Sequence, residues 1–132
     1  MTVLLAYIHT PDGDAALTAA VDEARWRATK AVVVNVTRPV AEVDSPMSAE
    51  QTLDAVAALF KRAEVDVEIR QLPASPDRAG AILAVMSEIQ PVLVVIGMHK
   101  RNPMGEAIIG STSQRILRGA KCPVLVVKAP TS

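Results

Sequence analysis

Aromatic residues are almost missing from this chain: Trp26, Phe60 and Tyr7 are the whole set among 132 residues. The core must therefore be built from Val, Leu, Ile, Ala and Met. Half of the residues are hydrophobic, so a core can form. Cys122 is the sole cysteine, which excludes an intrachain disulfide and a zinc cluster of the cysteine type. An excess of one charge is also lacking: 14 basic residues balance 14 acidic ones. That balance argues against bulk attraction to nucleic acid or to an anionic membrane. No apolar run approaches ~20 residues, so none is long enough to span a bilayer. The stretch Met1 to Tyr7 lacks a basic segment and a small-residue cleavage pattern, and it reads as a first strand. These absences predict a soluble, cytoplasmic protein with neither a membrane nor a nucleic-acid partner. The length predicts one domain over residues 1–132.

Familiar catalytic and cofactor signatures are missing too. No G-x-G-x-x-G follows the first strand, which argues against a dinucleotide site, and no G-x-x-x-x-G-K-[ST] exists. The first strand ends in Ile8 rather than an acidic pair, which disfavours a phosphoacceptor or a magnesium-dependent phosphatase centre. Neither His9 nor His99 has a nucleophile and a carboxylate arranged around it, and no poised general base is visible. No catalytic residues and no metal site are expected. Cys122, beside Pro123 and ahead of an apolar run, reads as a small buried hydrophobe.

What is present is a regular alternation of strands and helices. Val3 to Ile8, Ala31 to Val36, Val92 to Ile96 and Val124 to Val127 are nearly continuous apolar runs. The first of these, Val3 to Ile8, marks a strand covered on both faces, hence a parallel sheet with helices on each side. Val65 to Leu72 alternates apolar with polar and reads as an edge strand. Between them lie apolar stripes at helical spacing. Leu17, Val21, Ala24 and Ala28 form the first, with Asp12 or Asp14 as its cap and Trp26 pointing away. Leu53, Val56, Ala57 and Phe60 follow a Ser48/Gln51 capping box after the Thr37 to Pro46 loop, in which Pro39 and Pro46 are breakers. Ala79, Ile82, Leu83 and Met86 follow a Ser75-Pro76 start. Ile116, Leu117 and Ala120 follow a Ser111/Gln114 box. The order β-α-β-α-β-α-β-α-β predicts a three-layer α/β/α sandwich around five parallel strands.

Function points to residues 97–112. The loop Gly97 to Gly105 is long for a βα connection, which usually takes about two to six residues. His99, Lys100 and Arg101 are suited to meet a phosphate. The next helix opens at Gly110-Ser111-Thr112, where free backbone N–H groups and two hydroxyls suit a phosphoryl oxygen. The same residues also fit an ordinary turn, a cap and a solvated basic surface. The last strand, Val124-Leu125-Val126-Val127, raises a second possibility. As a sheet edge it would pair with the same strand of a second subunit; the alternative is that it is shielded within one subunit.

Gly97 through Ser111, the helix Arg115-Ile116-Leu117-Arg118 and the ending Cys122-Pro123-Val124-Leu125-Val126-Val127 resemble the universal stress protein family. That pattern is Gly, two residues, Gly, nine residues, Gly, then Ser or Thr. Gly97, Gly110 and Ser111 stand at its positions, and Lys100 replaces its second glycine. The resemblance implies a Rossmann-like fold of the adenine nucleotide alpha hydrolase type, strand order 3-2-1-4-5, and homodimers formed through the last strand. It implies a stress-response role, with ATP or another adenine nucleotide cradled by Gly97, Gly110 and Ser111. Adenine and ribose would rest near Ala6, Tyr7, Ile8, Val36 and Thr37. The acidic residue that nucleotide-binding members carry at the end of strand one falls at Ile8, with Asp12 as a substitute four residues later. Ile8 and Lys100 motivate the alternative, a nucleotide-independent dimer acting on an unidentified protein partner.

Overall fold

The computed structural model describes residues 1–36 and 49–130, and the side chains of all of these except Ala49 and His99. Thr37, Ser48 and the loop prolines Pro39 and Pro46 lie outside the described residues. In chain order the elements are β1 (Thr2–Ala6), α1 (Pro11–Arg27), β2 (Lys30–Val36), α2 (Ala49–Arg62), β3 (Val67–Leu72) and α3 (Arg78–Ile89). They continue with β4 (Leu93–Gly97), β5 (His99–Arg101), β6 (Ala107–Ile109), α4 (Ser111–Gly119) and β7 (Val124–Val127).

Five strands form one parallel sheet in the order β3-β2-β1-β4-β7. This is the expected order, with β7 as the fifth sheet strand. β1 and β4 are buried along their whole length, as their unbroken apolar runs require. Odd and even residues of each strand feed opposite cores. Val3, Leu5 and Tyr7 pack with Val33 and Val95 against Ala16, Leu17 and Ala20 of α1 and Phe60 of α2. Leu4, Ala6, Val32, Val34 and Ile96 pack against Ile82 and Met86 of α3 and Ile116 of α4. Two helices thus cover each face, which makes three layers. β3 lies at one edge and is partly exposed along its length, as its alternation indicates. Trp26 is largely exposed, away from the α1 stripe.

Three helix starts differ from expectation, for one reason. In each, the capping residue is the one held in non-helical backbone just ahead of the first turn. For α1 this is Thr10, whose Oγ1 accepts the Gly13 N–H at 3.0 Å; Asp12 and Asp14 fall inside the first turn. For α3 it is Asp77, which accepts the Gly80 N–H at 3.0 Å, while Ser75 accepts from Asp77 itself. For α4 it is Gly110, which has no side chain to cap with, so Ser111 and Gln114 form no box. Ala28 is the left-handed C-cap of α1 rather than part of its stripe.

The segment read as a plain loop contains an antiparallel hairpin of β5 and β6, with Lys100 opposite Ile108. Its turn is organised by Asn102. The Asn102 Oδ1 accepts the Met104 and Glu106 N–H groups at 3.0 and 2.9 Å, an arrangement that closes the five residues Asn102 to Glu106 tightly. Gly105 sits there at φ +82°, a backbone region that side chains resist.

Candidate functional site

In the sheet order, β1 has β2 on one side and β4 on the other, so successive crossovers leave β1 in opposite directions. A crevice at the C-terminal ends of the strands is expected at such a switch point. A cavity of about 210 Å3 opens there. Its sheet side is apolar: Ala6 and Ile8 from β1 and just beyond, Val34 and Val36 from β2, and Ile96 from β4. Ile82 of α3 and Ile116 of α4 add to this surface. Its polar side comes from Lys100, Gly110, Ser111, Thr112 and Ser113, with Arg78 at the start of α3.

Most of the residues singled out from the sequence converge on this one cavity: Ala6, Tyr7, Ile8 and Val36 on the apolar side, and Lys100, Gly110, Ser111 and Thr112 on the polar side. Tyr7 contributes its backbone. Its ring belongs to the opposite core, because side chains alternate along β1. Its hydroxyl donates to Asp14 Oδ1 at 2.7 Å and lies 3.0 Å from His9 Nδ1. Burial, and then this hydrogen bond and the Asp14 charge, push the phenol well above its usual range.

Four expected residues are placed elsewhere or not described. Gly97 does not line the cavity. Its carbonyl accepts from the Ser113 hydroxyl at 3.3 Å and so holds the start of α4 against the end of β4. Arg101 turns away from the cavity and donates to Asp12 Oδ1 at 2.9 Å. The side chain of His99 and all of Thr37 fall outside the described set. Asp12 is not a stand-in for the carboxylate missing at Ile8. It is buried, and its Oδ1 also accepts the Ala129 N–H at 2.6 Å. It therefore ties the first turn of α1 to the hairpin and to the chain leaving β7.

The start of α4 shapes the polar side. Gly110 adopts extended backbone and no side chain caps the first turn, so the leading N–H groups keep their partial positive charge facing the cavity. Lys100 lies across this helix start. A Cβ added to Gly110 would meet the Lys100 Cγ and Cδ at 3.6 Å and its Cε at 3.8 Å. Among the described residues no carboxylate pairs with Lys100. Asp77, the cap of α3, binds Arg115 of α4, and that bond and then the Gly80 N–H hold its carboxyl below the usual range. This link fixes the two helices that wall the cavity. Ile82, Ile96 and Ile116 look in sequence like ordinary core positions. Only the meeting of three elements gives them a cavity to line.

β7 forms the outer edge of the sheet beside β4, and its four residues are half-buried. Cys122, partly buried just ahead of it, has a thiol pushed up by burial and partly offset by a hydrogen bond with the Val94 backbone. Among the described residues no helix is long and apolar enough to cross a membrane, and no group of three His, Cys, Asp or Glu side chains able to hold a metal occurs.

Comparison with known proteins bears on this arrangement. The model of the universal stress protein family matches residues 1–128. A universal stress protein of Mycolicibacterium smegmatis is 35% identical over 126 residues, covering 96% of each chain. A universal stress protein of Archaeoglobus fulgidus superposes with a TM-score of 0.77 at 24% identity, covering 96% of this chain and 97% of the other. Another from the same organism, solved in complex with dAMP, gives a TM-score of 0.72 at 19% identity over 96% of each chain.

Proposed function

This chain belongs to the universal stress protein family, and we propose that it binds an adenine nucleotide in the cavity at the β1–β4 switch point. The observation that carries this reading is the union of two surfaces in one crevice. An apolar slot between Ile8, Val36, Ile82 and Ile116 suits a flat base, and it runs into an uncapped helix start beneath Lys100. The base would lie against the branched side chains. The phosphate would accept hydrogen bonds from the Ser111 and Thr112 N–H groups and hydroxyls, with Lys100 supplying charge. The choice of adenine follows the fold relative solved with dAMP. ATP is one candidate among such nucleotides. The role is binding in a stress response rather than catalysis, and its setting is the cytoplasm.

Titration calorimetry with ATP, ADP, AMP and adenosine tests this. Saturable binding is expected, weakened about tenfold or more by Gly110→Ala. The added methyl group would sit at ordinary contact distance from Lys100, so the variant should fold. Absence of heat with every ligand at millimolar concentration refutes the reading.

A second reading rests on the edge strand. Among the described residues β7 has β4 on one side only, and Leu125 and Val127 stay half-exposed. Pairing of β7 with its copy about a two-fold axis would satisfy that edge. Such a homodimer is compatible with nucleotide binding. It would also serve a nucleotide-independent protein that works through a protein partner. Light scattering at several concentrations, on the parent chain and on Leu125→Lys, separates the cases. A monomer at all concentrations sinks the dimer.

A further inference from the structure

We propose that Tyr7, His9 and Asp14 form a binding site for a divalent first-row transition-metal ion, copper(II) ahead of zinc(II), on the side of the sheet opposite the cavity. The site is independent of the nucleotide reading. His9 and Asp14 do not line the cavity, and the Tyr7 ring belongs to the other core.

The chain brings the three side chains together just beyond β1. Tyr7 and His9 are two residues apart and leave on the same side, with ring centroids 6.5 Å apart. Asp14 comes from the first turn of α1, which is held by the Thr10 cap on the Gly13 N–H and by the Asp14 N–H donating to the Thr10 carbonyl at 2.8 Å. The three donor atoms form one small triangle. Tyr7 Oη lies 2.7 Å from Asp14 Oδ1 and 3.0 Å from His9 Nδ1, and the last two are 3.6 Å apart. Donors bound to one ion at about 2.0–2.2 Å stand roughly 2.8–3.6 Å from one another in octahedral or tetrahedral geometry. An ion therefore fits over this triangle with almost no rearrangement. The buried phenol fixes one corner, while the His9 and Asp14 side chains are 47% and 50% exposed, which gives a path for entry and leaves positions open to water. Among the described residues no Lys or Arg competes for the Asp14 carboxylate.

The donor set selects the ion. One imidazole nitrogen and two oxygens, with no sulfur, suit borderline divalent ions and not copper(I). Magnesium and calcium prefer shells of oxygen alone and fit poorly. At a given nitrogen and oxygen site the divalent series places copper(II) above zinc(II). A carboxylate and a phenolate together offset the charge of a divalent ion. Without metal the phenol gives its one proton to Asp14, so the His9 Nδ1–H donates to the phenol oxygen. On binding, the phenol proton passes to water and the imidazole carries its proton on Nε2. The ion thus takes the place of the two hydrogens that now hold the cluster together.

The test is equilibrium dialysis and visible spectroscopy of the metal-free chain against copper(II), zinc(II) and magnesium. A Cys122→Ser background removes the one thiol able to bind or reduce copper. One copper(II) or zinc(II) per chain is expected, with roughly micromolar or tighter affinity, and no magnesium. The copper complex should show a phenolate-to-copper charge-transfer band. His9→Ala and Asp14→Asn should each weaken binding at least about tenfold. Tyr7→Phe keeps the ring in its core, so it should fold, lose the band and bind more weakly. Circular dichroism checks that all three variants fold. Absence of saturable binding, parent affinity retained in His9→Ala and Asp14→Asn, or a copper complex with no charge-transfer band overturns the inference. So does a band that survives Tyr7→Phe.

Discussion

Replacing Asp12 by alanine should loosen three parts of the molecule at once, because one buried carboxylate oxygen serves them all. Asp12 Oδ1 accepts from Arg101 Nη2 at 2.9 Å and from the Ala129 N–H at 2.6 Å, and it sits in the first turn of α1. Hydrogen bonds to a charged group contribute about 1.5–3 kcal/mol. An acidic side chain at a helix start adds about 0.3–1 kcal/mol. Arg101 is 39% exposed and regains water when its partner is lost, which trims the total. The expected loss for Asp12→Ala is therefore about 2–4 kcal/mol. For a chain of this size that corresponds to a drop in Tm on the order of 10 °C. Arg101→Ala should cost less, about 1–2 kcal/mol, since Asp12 keeps the Ala129 N–H and the helix start. The two losses should not add: a double-mutant cycle should give a coupling of about 1 kcal/mol. Thermal and urea unfolding followed by circular dichroism measure all three variants. A cycle that closes near zero, or an Asp12→Ala shift below about 2 °C, would show that this contact does not hold the hairpin in solution.

Gly13→Ala and Gly110→Ala should part company in stability. A Cβ at Gly13 would stand 1.7 Å from the Ile8 carbonyl oxygen, a backbone atom that cannot swing aside, whereas at Gly110 the nearest atoms are 3.6 Å away. Urea midpoints should show a loss of about 1–3 kcal/mol or more at residue 13 and less than about 0.5 kcal/mol at residue 110; equal losses would contradict the geometry. Tyr7 is the only tyrosine, so its titration can be read directly from tyrosinate absorbance. Its phenol is raised in the fold, so its contribution to stability is complete below the unfolded value of about 10 and is lost as pH climbs from there toward the folded value. Tyrosinate should therefore appear only with unfolding, and ionisation of a still-folded chain at the ordinary pH would contradict the burial.

The fold was legible because its signals are local and repeated. Continuous apolar runs marked the strands, buried at β1 and β4 and half-buried at the edge strand β7; alternation marked β3 as an edge, and stripes at helical spacing marked the four helices. Caps were misplaced by one to four residues at α1, α3 and α4. Thr10, Asp77 and Gly110 each differ from a neighbouring capping residue only in backbone angles, which composition does not reveal. The hairpin was missed because β5 and β6 are three residues each, too short to show a period. The site was legible in its motif residues and not in its walls. Gly110, Ser111 and Thr112 announce a helix start, but Ile82, Ile96 and Ile116 carry the same pattern as any core position.

By itself, the order of residues determined the layers, the strand succession and the helix start that faces the crevice, since each follows from contacts within a few turns of chain or from periodicity. The three-dimensional arrangement decided which of two adjacent cations reaches the cavity. Lys100 and Arg101 are indistinguishable neighbours in sequence. On a β-strand they point to opposite sides, and a carboxylate 89 positions earlier captures one of them. Such a choice depends on which distant groups the fold brings within 3 Å of each other, and no local pattern encodes that distance.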